Sequence, residues 1–564
     1  MGNTAAIELR NVTKTFGSVV ANKNVNLDVM RGEILAILGE NGSGKTTLMN
    51  MISGIYYPDE GEILIDGKQV VISSPKDAFK YKIGMIHQHF KLVDVFTATE
   101  NIILGLNEKY DKKASENSVK AISEKYGFDI EPNKKIYEMS VPERQTVEII
   151  KVLYRGADIL ILDEPTAVLT PQETRKLFSV LRKMRDDGKS IIIITHKLHE
   201  VLEISDRVAI LRKGEHIDTV NTKETNESQL TEMMVGKKVS LNIDRSDPRN
   251  TADRLIIEGL NCMNREGVKV LDNVSFTARA GEILGLAGIA GSGQRELLEA
   301  IAGLQHIETG KIIYNNPKKD KPVTFFHKTY ARVMELAEEG AFRYENGETV
   351  DFSGIKPQEI KKLVNDGKIL FKEDEVVNLR DKTPLQIREL GVRLSFVPED
   401  RLGMGLVGNM SIVDNMMLRS YRSGKSAFLN REPSVGLADR IISQLEVATP
   451  SAETPVRQLS GGNVQKVLVG REISSAPVVL MVAYPVRGLD INSSYMIYNL
   501  LNQQKEKGVA VIFVGEDLDV LIDLCDRILV IGGGKVTGIV DARTTTKEKV
   551  GLLMTKTEGI SDNE

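Results

Sequence analysis

Short apolar runs separated by longer amphipathic segments recur along this chain of 564 residues. Runs such as "EILAIL", "ADILILD" and "SIIIITH" predict buried parallel strands. Segments such as "ETRKLFSVLRKMRDDG" lie between them and have apolar residues at helical spacing. This alternation predicts an α/β fold in which crossover helices cover a parallel sheet.

The whole pattern occurs twice. Gly39 in "GEILAILGENGSGKT" matches Gly288 in "GEILGLAGIAGSGQR", which lies 249 residues later, whereas Ser140 matches Ser460 at a separation of 320. Constant separations over long stretches indicate a duplicated unit. The rise from 249 to 320 places about 71 extra residues in the second copy, most of them between roughly 316 and 381.

Domain boundaries follow from this repeat. We predict a first domain over 1–240, a polar linker over 241–252, a second domain over 253–556 and a loose tail over 557–564. The insertion at about 316–381 contains the helical stretch "YARVMELAEE" and an "ENG" turn between possible short strands. It predicts a small surface subdomain whose role the sequence leaves open.

Bulk composition narrows the function classes. The net charge is -4, with 27% charged and 41% hydrophobic residues, so no basic excess indicates a nucleic-acid partner. No segment has about 18 consecutive apolar residues, which predicts no direct membrane insertion. The only cysteines, Cys262 and Cys525, have no disulfide or zinc-site spacing and suit a reducing compartment.

A phosphate-binding loop is predicted in the first half. "GENGSGKT" fits the P-loop pattern and lies between an apolar run and a helical segment. Such a loop wraps phosphate oxygens with backbone N–H groups, its lysine reaches the β- and γ-phosphates, and its hydroxyl binds Mg²⁺. The candidate nucleotide-binding residues are Gly39, Glu40, Asn41, Gly42, Ser43, Gly44, Lys45, Thr46 and Thr47, with Thr46 also a candidate metal ligand.

An acidic pair ends the run "ILILDE". Asp163 is placed to hold the metal, and Glu164 can activate a water against the γ-phosphate. A helix cap is the alternative for such a pair. The P-loop upstream favours the catalytic interpretation.

Two further polar residues end apolar runs: Gln88 in "MIHQHF" and His196 in "IIIITH". As an ordered set with the loop and the acidic pair, they resemble the ATP-binding-cassette ATPases, which implies two tandem P-loop domains, each with a RecA-like core, a helical subdomain and a β-subdomain. The resemblance implies that Gln88 senses Mg²⁺ and the membrane partner and that His196 contacts the γ-phosphate. Phe16 lies where that family stacks an aromatic ring on adenine, although a core aromatic is an equal alternative.

The second half has lost this chemistry. Lys45 and Thr46 are replaced by Gln294 and Arg295, and the acidic pair by Ala483 and Tyr484. Gln88 and His196 correspond to Glu399 and Glu516. These losses argue against fast hydrolysis in the second half, because the charge of a transferring phosphoryl group has no obvious stabiliser there.

The second half keeps what the first lacks. "LSGGN" matches the family signature, whose Ser460, Gly461 and Gly462 cap the γ-phosphate across an interface in that family. Asp490 in "GLD" fits the family's interface aspartate. The first half has Pro142 in its signature, and proline has no N–H to donate.

The resemblance implies that the two halves pair head to tail. In that arrangement the intact residues of both halves belong to one site and the replaced residues to the other. Lys45, Thr46, Gln88, Asp163, Glu164 and His196 then meet Ser460, Gly461, Gly462 and Asp490 in one complete site for ATP and Mg²⁺. All the defects fall in the other site. We therefore predict one ATP-hydrolysing site and one structural site.

Nearly the whole chain resembles the tandem ATP-binding subunit of bacterial importers for simple sugars and nucleosides, and "FVPEDRLGMGLV" favours the nucleoside branch. This implies two membrane permease subunits, an extracellular solute-binding protein acting indirectly, and a peripheral position at the cytoplasmic face of the cell membrane. A soluble tandem ATPase acting on ribosomes or nucleic acid is the alternative, and a stand-alone P-loop kinase is a weaker one. The short linker and the broken second site do not favour the soluble tandem ATPase, and the kinase explains neither "LSGGN" nor the duplication.

Overall fold

The computed structural model describes most of the chain. The described residues are 5–17, 19–87, 90–106, 111–167, 169–195, 197–236, 243–249, 251–264, 267–289, 291–317, 321–322, 334, 342–344, 348–352, 354–371, 374–396, 405–418, 420–421, 429–474, 477–515 and 517–556. Gln88, His196, Glu399, Glu516, most of "YARVMELAEE" and the tail 557–564 lie outside them. No helix within these ranges is long and apolar enough to cross a membrane.

The first half combines two sheets with eight helices in its described residues. Its strands are β1 (Ala5–Phe16), β2 (Val19–Met30), β3 (Ile34–Leu38), β4 (Glu60–Ile65), β5 (Lys68–Val70), β6 (Ile83–Ile86), β7 (Ile159–Asp163), β8 (Ser190–Ile194), β9 (Arg207–Arg212) and β10 (Glu215–Asn221). Its helices are α1 (Lys45–Ile52), α2 (Pro75–Lys80), α3 (Ala98–Ile103), α4 (Lys112–Tyr126), α5 (Val141–Tyr154), α6 (Pro171–Asp186), α7 (Leu198–Ile204) and α8 (Glu227–Val235).

The second half repeats this order. Its strands are β11 (Asp253–Met263), β12 (Lys269–Arg279), β13 (Glu282–Gly288), β14 (Thr309–Pro317), β15 (Lys321–Pro322), β16 (Phe342–Tyr344), β17 (Ile369–Phe371), β18 (Asp374–Asn378), β19 (Val392–Phe396), β20 (Val479–Ala483), β21 (Ala510–Val514), β22 (Arg527–Gly532) and β23 (Lys535–Asp541). Its helices are α9 (Gln294–Ile301), α10 (Pro357–Asn365), α11 (Pro384–Glu389), α12 (Ile412–Met417), α13 (Glu432–Gln444), α14 (Gly461–Ile473), α15 (Ile491–Glu506), α16 (Leu518–Leu524) and α17 (Lys547–Thr555).

The two halves have the same sheet topology. The core sheets run β6-β7-β8-β3-β9-β10 and β19-β20-β21-β13-β22-β23, and the smaller sheets run β2-β1-β4-β5 and β12-β11-β14-β18. In the first core sheet β3 lies parallel between β8 and β9, and all five of its residues are buried. The predicted α/β fold with buried parallel strands is therefore confirmed, because only strands covered on both faces can be apolar throughout.

Helix α6 shows how local sequence sets an element. Thr170 caps it, with Glu173 returning a carboxylate to the Thr170 N–H at 2.8 Å, and Pro171 occupies the first turn, where no donor is needed. Phe178 and Leu181 lie on the buried face of this helix against the sheet. The helix thus covers one face of the strands that carry the acidic pair.

The insertion enters at a hairpin. β14 and β18 pair antiparallel, with Asn316 opposite Glu375, whereas in the first half β4 and β5 are joined by the two-residue turn Asp66–Gly67. Between β14 and β18 the described residues form the small sheet β15-β17-β16, helix α10 and a separate apolar core. That core contains Phe342, Val350, Phe352, Ile360 and Ile369.

The linker lies on the second half. The backbone carbonyl of Asp244 accepts from Asn502 Nδ2 at 3.1 Å, and that of Ser246 accepts from Lys505 Nζ at 2.5 Å. Lys505 is buried and also pairs with Asp526 at 2.7 Å. A buried ammonium held by a carboxylate and a carbonyl fixes the linker, since moving the linker away would remove one of the two oxygen partners of that buried charge.

The halves meet through reciprocal contacts. Ile491 at the start of α15 packs against the apolar cluster of the first half that includes Leu230 and Met234 of α8. Its counterpart 320 residues earlier, Pro171, lies 2.8 Å from where a Cβ on Gly551 of α17 would be. A contact repeated with the partners exchanged is the property of a two-fold arrangement. The two halves are therefore related by a pseudo-two-fold axis.

Replacing residues 316–375 by Asp-Gly should leave the rest of the second half intact. Asn315 and Val376 are already paired, so a two-residue turn can join them as in the first half. We expect the free energy of unfolding of this half to stay unchanged or rise by up to about 3 kcal/mol, at ~0.6 kcal/mol per halving of loop length. Denaturant unfolding measures this, and a clear loss of stability would mean that the insertion supports the core.

Candidate nucleotide site

The first-half phosphate loop is shaped by its glycines. Gly44 caps α1 with φ of 96°, and a Cβ there would lie 2.4 Å from the Ala21 carbonyl oxygen. No other residue fits that conformation and that space without strain. The loop therefore brings backbone N–H groups to the start of a helix, where anions are favoured.

Lys45 lies inside this loop. Its Nζ donates to the carbonyl oxygens of Gly39 at 2.7 Å and Glu40 at 2.9 Å, and the residue is buried. Burial lowers the pKa of the Lys45 amine, opposed by the negative charges of Glu164 and Asp163. Among the residues that the structure describes, the buried Ser43 hydroxyl has no hydrogen-bond partner. An unpaired buried hydroxyl beside an ammonium fits a loop built to receive an anion.

The acidic pair ends β7 beside the loop. Burial raises the pKa of Asp163 to about 6, the Glu164 charge adds to the shift, and Lys45 opposes it. Glu164 has a left-handed backbone with φ of 46°, and its N–H donates to the Ile194 carbonyl at 2.9 Å. Tyr484 in the second half has φ of 53° and donates to Val514 at 3.0 Å. The turn is thus the same in both halves while its side chain differs.

The remaining first-half candidates lie around the loop. Thr46 is exposed and Thr47 half-buried at the start of α1. Phe16 is 44% exposed, with its ring 5.2 Å from that of Tyr56 at an angle of 70°. The alternative of a core aromatic for Phe16 is therefore wrong. A partly exposed aromatic ring at the end of β1 is available for stacking.

The second-half loop keeps the backbone of the first. The Ser292 N–H donates to Ile289 at 3.0 Å, as that of Ser43 does to Glu40 at 3.1 Å, and Gly293 has φ of 104°. Gln294 is buried, and its Nε2 would lie 2.4 Å from a Cβ on Gly288. Its amide therefore packs against the loop glycine, as the Lys45 amine does in the first half.

The signature segment begins α14. Ser460 is exposed, and its hydroxyl accepts from Asn463 Nδ2 at 2.9 Å, while Gly461 is exposed and Gly462 half-buried. In the first half Ser140 starts α5 in a capping box whose acidic partner is Glu143. The segment of the first half that is equivalent to the signature is therefore a helix N-terminus with an ordinary capping box.

A cavity of about 800 Å³ lies between the halves. The first half lines it with Gly39, Glu40, Asn41, Asp163 and Glu164, and the second half with Tyr484 to Ile491, including Asp490. Burial raises the pKa of Glu40, and the charge of Asp490 adds to this shift. Asp490 also caps α15 by accepting from the Ser493 N–H at 2.8 Å.

The structure thus joins some of the candidate residues and not others. The first three loop residues, Gly39 to Asn41, share one cavity with the acidic pair and Asp490, whereas the rest of the loop, including Lys45 and Thr46, is not among the described residues that line it. Ser460, Gly461 and Gly462 are absent from the described residues that line it. Gln88 and His196 lie outside the described residues.

Sequence reasoning missed the residues that hold the turn after the acidic pair. Gln145 Nε2 donates to the Pro165 carbonyl at 2.7 Å, and Gln465 does the same to Pro485 at 2.7 Å. Thr166 donates to the buried Glu200 carboxylate. The sequence did carry a signal for these glutamines, because the same residue type occurs at equivalent positions of the repeat, Gln145 and Gln465, which are 320 residues apart.

Comparison with known proteins decides the family. The family model described as ABC transporter matches residues 22–167 and 271–345. The nucleoside import ATP-binding protein NupA of Lactococcus lactis is 38% identical over 98% of this chain and 99% of its own length. The chain belongs to the ATP-binding proteins of ABC importers.

Two further relatives cover the chain equally well. The guanosine import ATP-binding protein NupO of Bacillus subtilis is 39% identical over 97% of this chain and 97% of its own length. The ribose import ATP-binding protein RbsA 1 of Rubrobacter xylanophilus is 33% identical over 97% and 98%. As an ABC importer protein of this kind, the chain binds nucleotide, is an ATPase and acts with membrane permease partners.

The glycines of this ABC protein's second loop should be needed for folding. Gly293→Ala places a Cβ 2.8 Å from the Val270 carbonyl, whereas Gly291→Ala meets nothing within 4 Å. Both pay about 1–2 kcal/mol for a left-handed backbone, and we expect Gly293→Ala to lose about 1–3 kcal/mol more. Denaturant unfolding compares the two variants, and equal losses would contradict this role.

Proposed function

We propose that this chain powers the import of nucleosides or simple sugars through partner membrane permease subunits. The observation that carries the proposal is its full-length similarity to proteins named for nucleoside, guanosine and ribose import. The two nucleoside-class relatives have the higher identities, 38% and 39% against 33%. We therefore favour nucleosides as the transported class.

We further infer that ATP is hydrolysed at one composite site. The cavity that joins Lys45's loop and the acidic pair to Asp490 supports this assignment. Ser460, Gly461 and Gly462 would complete the site by moving toward the loop when the halves close on ATP. The other site, with Gln294, Arg295 and Tyr484 facing Pro142 and Thr170, would remain structural.

The first-half residues have distinct roles in this proposal. The loop N–H groups and Lys45 hold the phosphates, and Phe16 stacks on the adenine ring. Glu164 accepts a proton from the attacking water, since it follows the metal-binding position at the end of β7. His196 contacts the γ-phosphate, and Gln88 links the site to the membrane partner.

Thr46 and Asp163, with Gln88, would hold Mg²⁺, which neutralises the charge that develops on the phosphate oxygens. No group of three or more His, Cys, Asp or Glu residues that could hold a metal occurs within the described ranges. Mg²⁺ in nucleotide sites is usually bound by one or two carboxylates together with substrate phosphates, and Asp163 would supply that carboxylate beside the Thr46 hydroxyl and the Gln88 amide.

The partners follow from the transporter class. We propose two permease subunits, an extracellular solute-binding protein that acts through them, and a peripheral position at the cytoplasmic face of the membrane. No nucleic-acid partner is proposed, because the net charge of -4 offers no basic surface excess. A ribosome- or nucleic-acid-directed ATPase is not favoured by any of the named relatives.

Glu164→Gln should bind ATP normally and lose turnover by at least about a hundredfold, because the amide cannot accept the proton from water. Tyr484→Phe is the matched control at the equivalent turn and should change kcat by less than about twofold. Steady-state phosphate release and nucleotide binding by titration measure the two effects. Equal losses in both variants would contradict the assignment of one live site.

Uptake by cells tests the transported class. A strain lacking this chain should lose most of its uptake of labelled uridine or guanosine and keep its uptake of labelled ribose. Restoring the chain should restore uptake, and restoring Glu164→Gln should not. Loss of ribose uptake alone would move the assignment to the sugar branch and leave the ATPase assignment standing.

A further inference from the structure

One contact lies on the pseudo-two-fold axis itself. His199 of α7 and Asp519 of α16 are counterparts, separated by the 320 residues of the repeat, and they touch each other. The distance from His199 Nδ1 to Asp519 Oδ2 is 3.3 Å. Counterpart residues can contact each other only where the axis passes between them.

The Asp519 carboxylate is held from both sides. Lys547 Nζ, from α17 of the same half, pairs with Oδ1 at 2.5 Å, while His199 from the other half approaches Oδ2. Lys547 and its own counterpart, Glu227, both line the cavity between the halves. Two pairs of equivalent positions near the axis therefore carry different residues in the two halves: His199 against Asp519, and Glu227 against Lys547.

We propose that His199 and Asp519 form a heterotypic lock that selects pairing of the first half with the second. Two first halves would bring two imidazoles together on the axis, and two second halves would bring two carboxylates together. Neither pairing places an imidazole beside a carboxylate, as His199 and Asp519 are placed here, and two carboxylates repel. The shared backbone of the halves allows all three pairings, so side chains on the axis must discriminate among them.

The selected pairing is the one that matters for hydrolysis. It sets the acidic pair of the first half opposite Asp490 of the second. Two first halves would lack the intact signature, and two second halves would lack the acidic pair. The lock concerns the seam alone and does not depend on which solute is carried.

The test measures hydrogen–deuterium exchange in the full chain without nucleotide. His199→Asp re-creates the seam of two second halves, and exchange in the unsubstituted helix α16 should rise about fivefold, the upper range for an exposed ion pair. Asp519→His re-creates the seam of two first halves and should do the same in α7. The double variant restores a heterotypic pair and should bring both helices back to within about twofold of the original rates.

Two comparisons keep the result specific. His199→Lys retains an N–H donor and should leave the hydrogen–deuterium exchange rate of α16 unchanged, whereas His199→Leu should raise that rate. These two variants remain informative if the charge-reversing variants misfold. Arg182→Gln removes a similarly exposed pair with Glu203 inside the first half, 3.6 Å long, and should leave α16 unchanged. Unchanged α16 exchange in both His199→Asp and His199→Leu overturns the lock, as does equal acceleration in Arg182→Gln. These measurements require no hydrolysis or transport, so they stand apart from the proposed function.

Discussion

The two-fold seam between the halves is the constraint on which the rest of this molecule depends. Each half places the start of one helix against the last helix of the other, as Pro171 does with Gly551 and Ile491 with Leu230. This reciprocity puts Gly39 to Asn41 of the P-loop and the acidic pair of the first half into one cavity with Asp490 of the second. A half on its own has no such cavity, because both halves line it.

The two halves share backbone conformation at the phosphate loop and at the turn after β7 or β20, but they differ in the side chains at those positions. The loop at Gly293 and the turn at Tyr484 keep the left-handed conformations of Gly44 and Glu164, although the side chains that would bind phosphate and activate water have gone. Backbone geometry at these points also supports α9 and the hydrogen bond to β21, which any replacement must preserve. The backbone at these positions is therefore shared between the halves, whereas the side chains differ.

The same reasoning explains where the chain tolerates additions. The insertion replaces a two-residue hairpin turn and has its own small apolar core, so neither sheet of the second half is interrupted. The linker, by contrast, is held by Asn502 and the buried Lys505. A segment that reads as polar and unstructured in sequence is thus fixed by partners that are more than 250 residues away.

Sequence by itself determined the duplication, the α/β fold, and the residue types of the P-loop, the acidic pair and the signature. It could do so because apolar periodicity and glycine spacing are local properties. The predicted domain limits and the predicted roles of the site residues, including Gln88 and His196, stay predictions. Only the tertiary structure decided that Phe16 is exposed, that the linker is bound to the second half and that His199 meets Asp519. Each of those depends on which distant surfaces come together, and a contact between residues 320 positions apart leaves no mark in either local pattern.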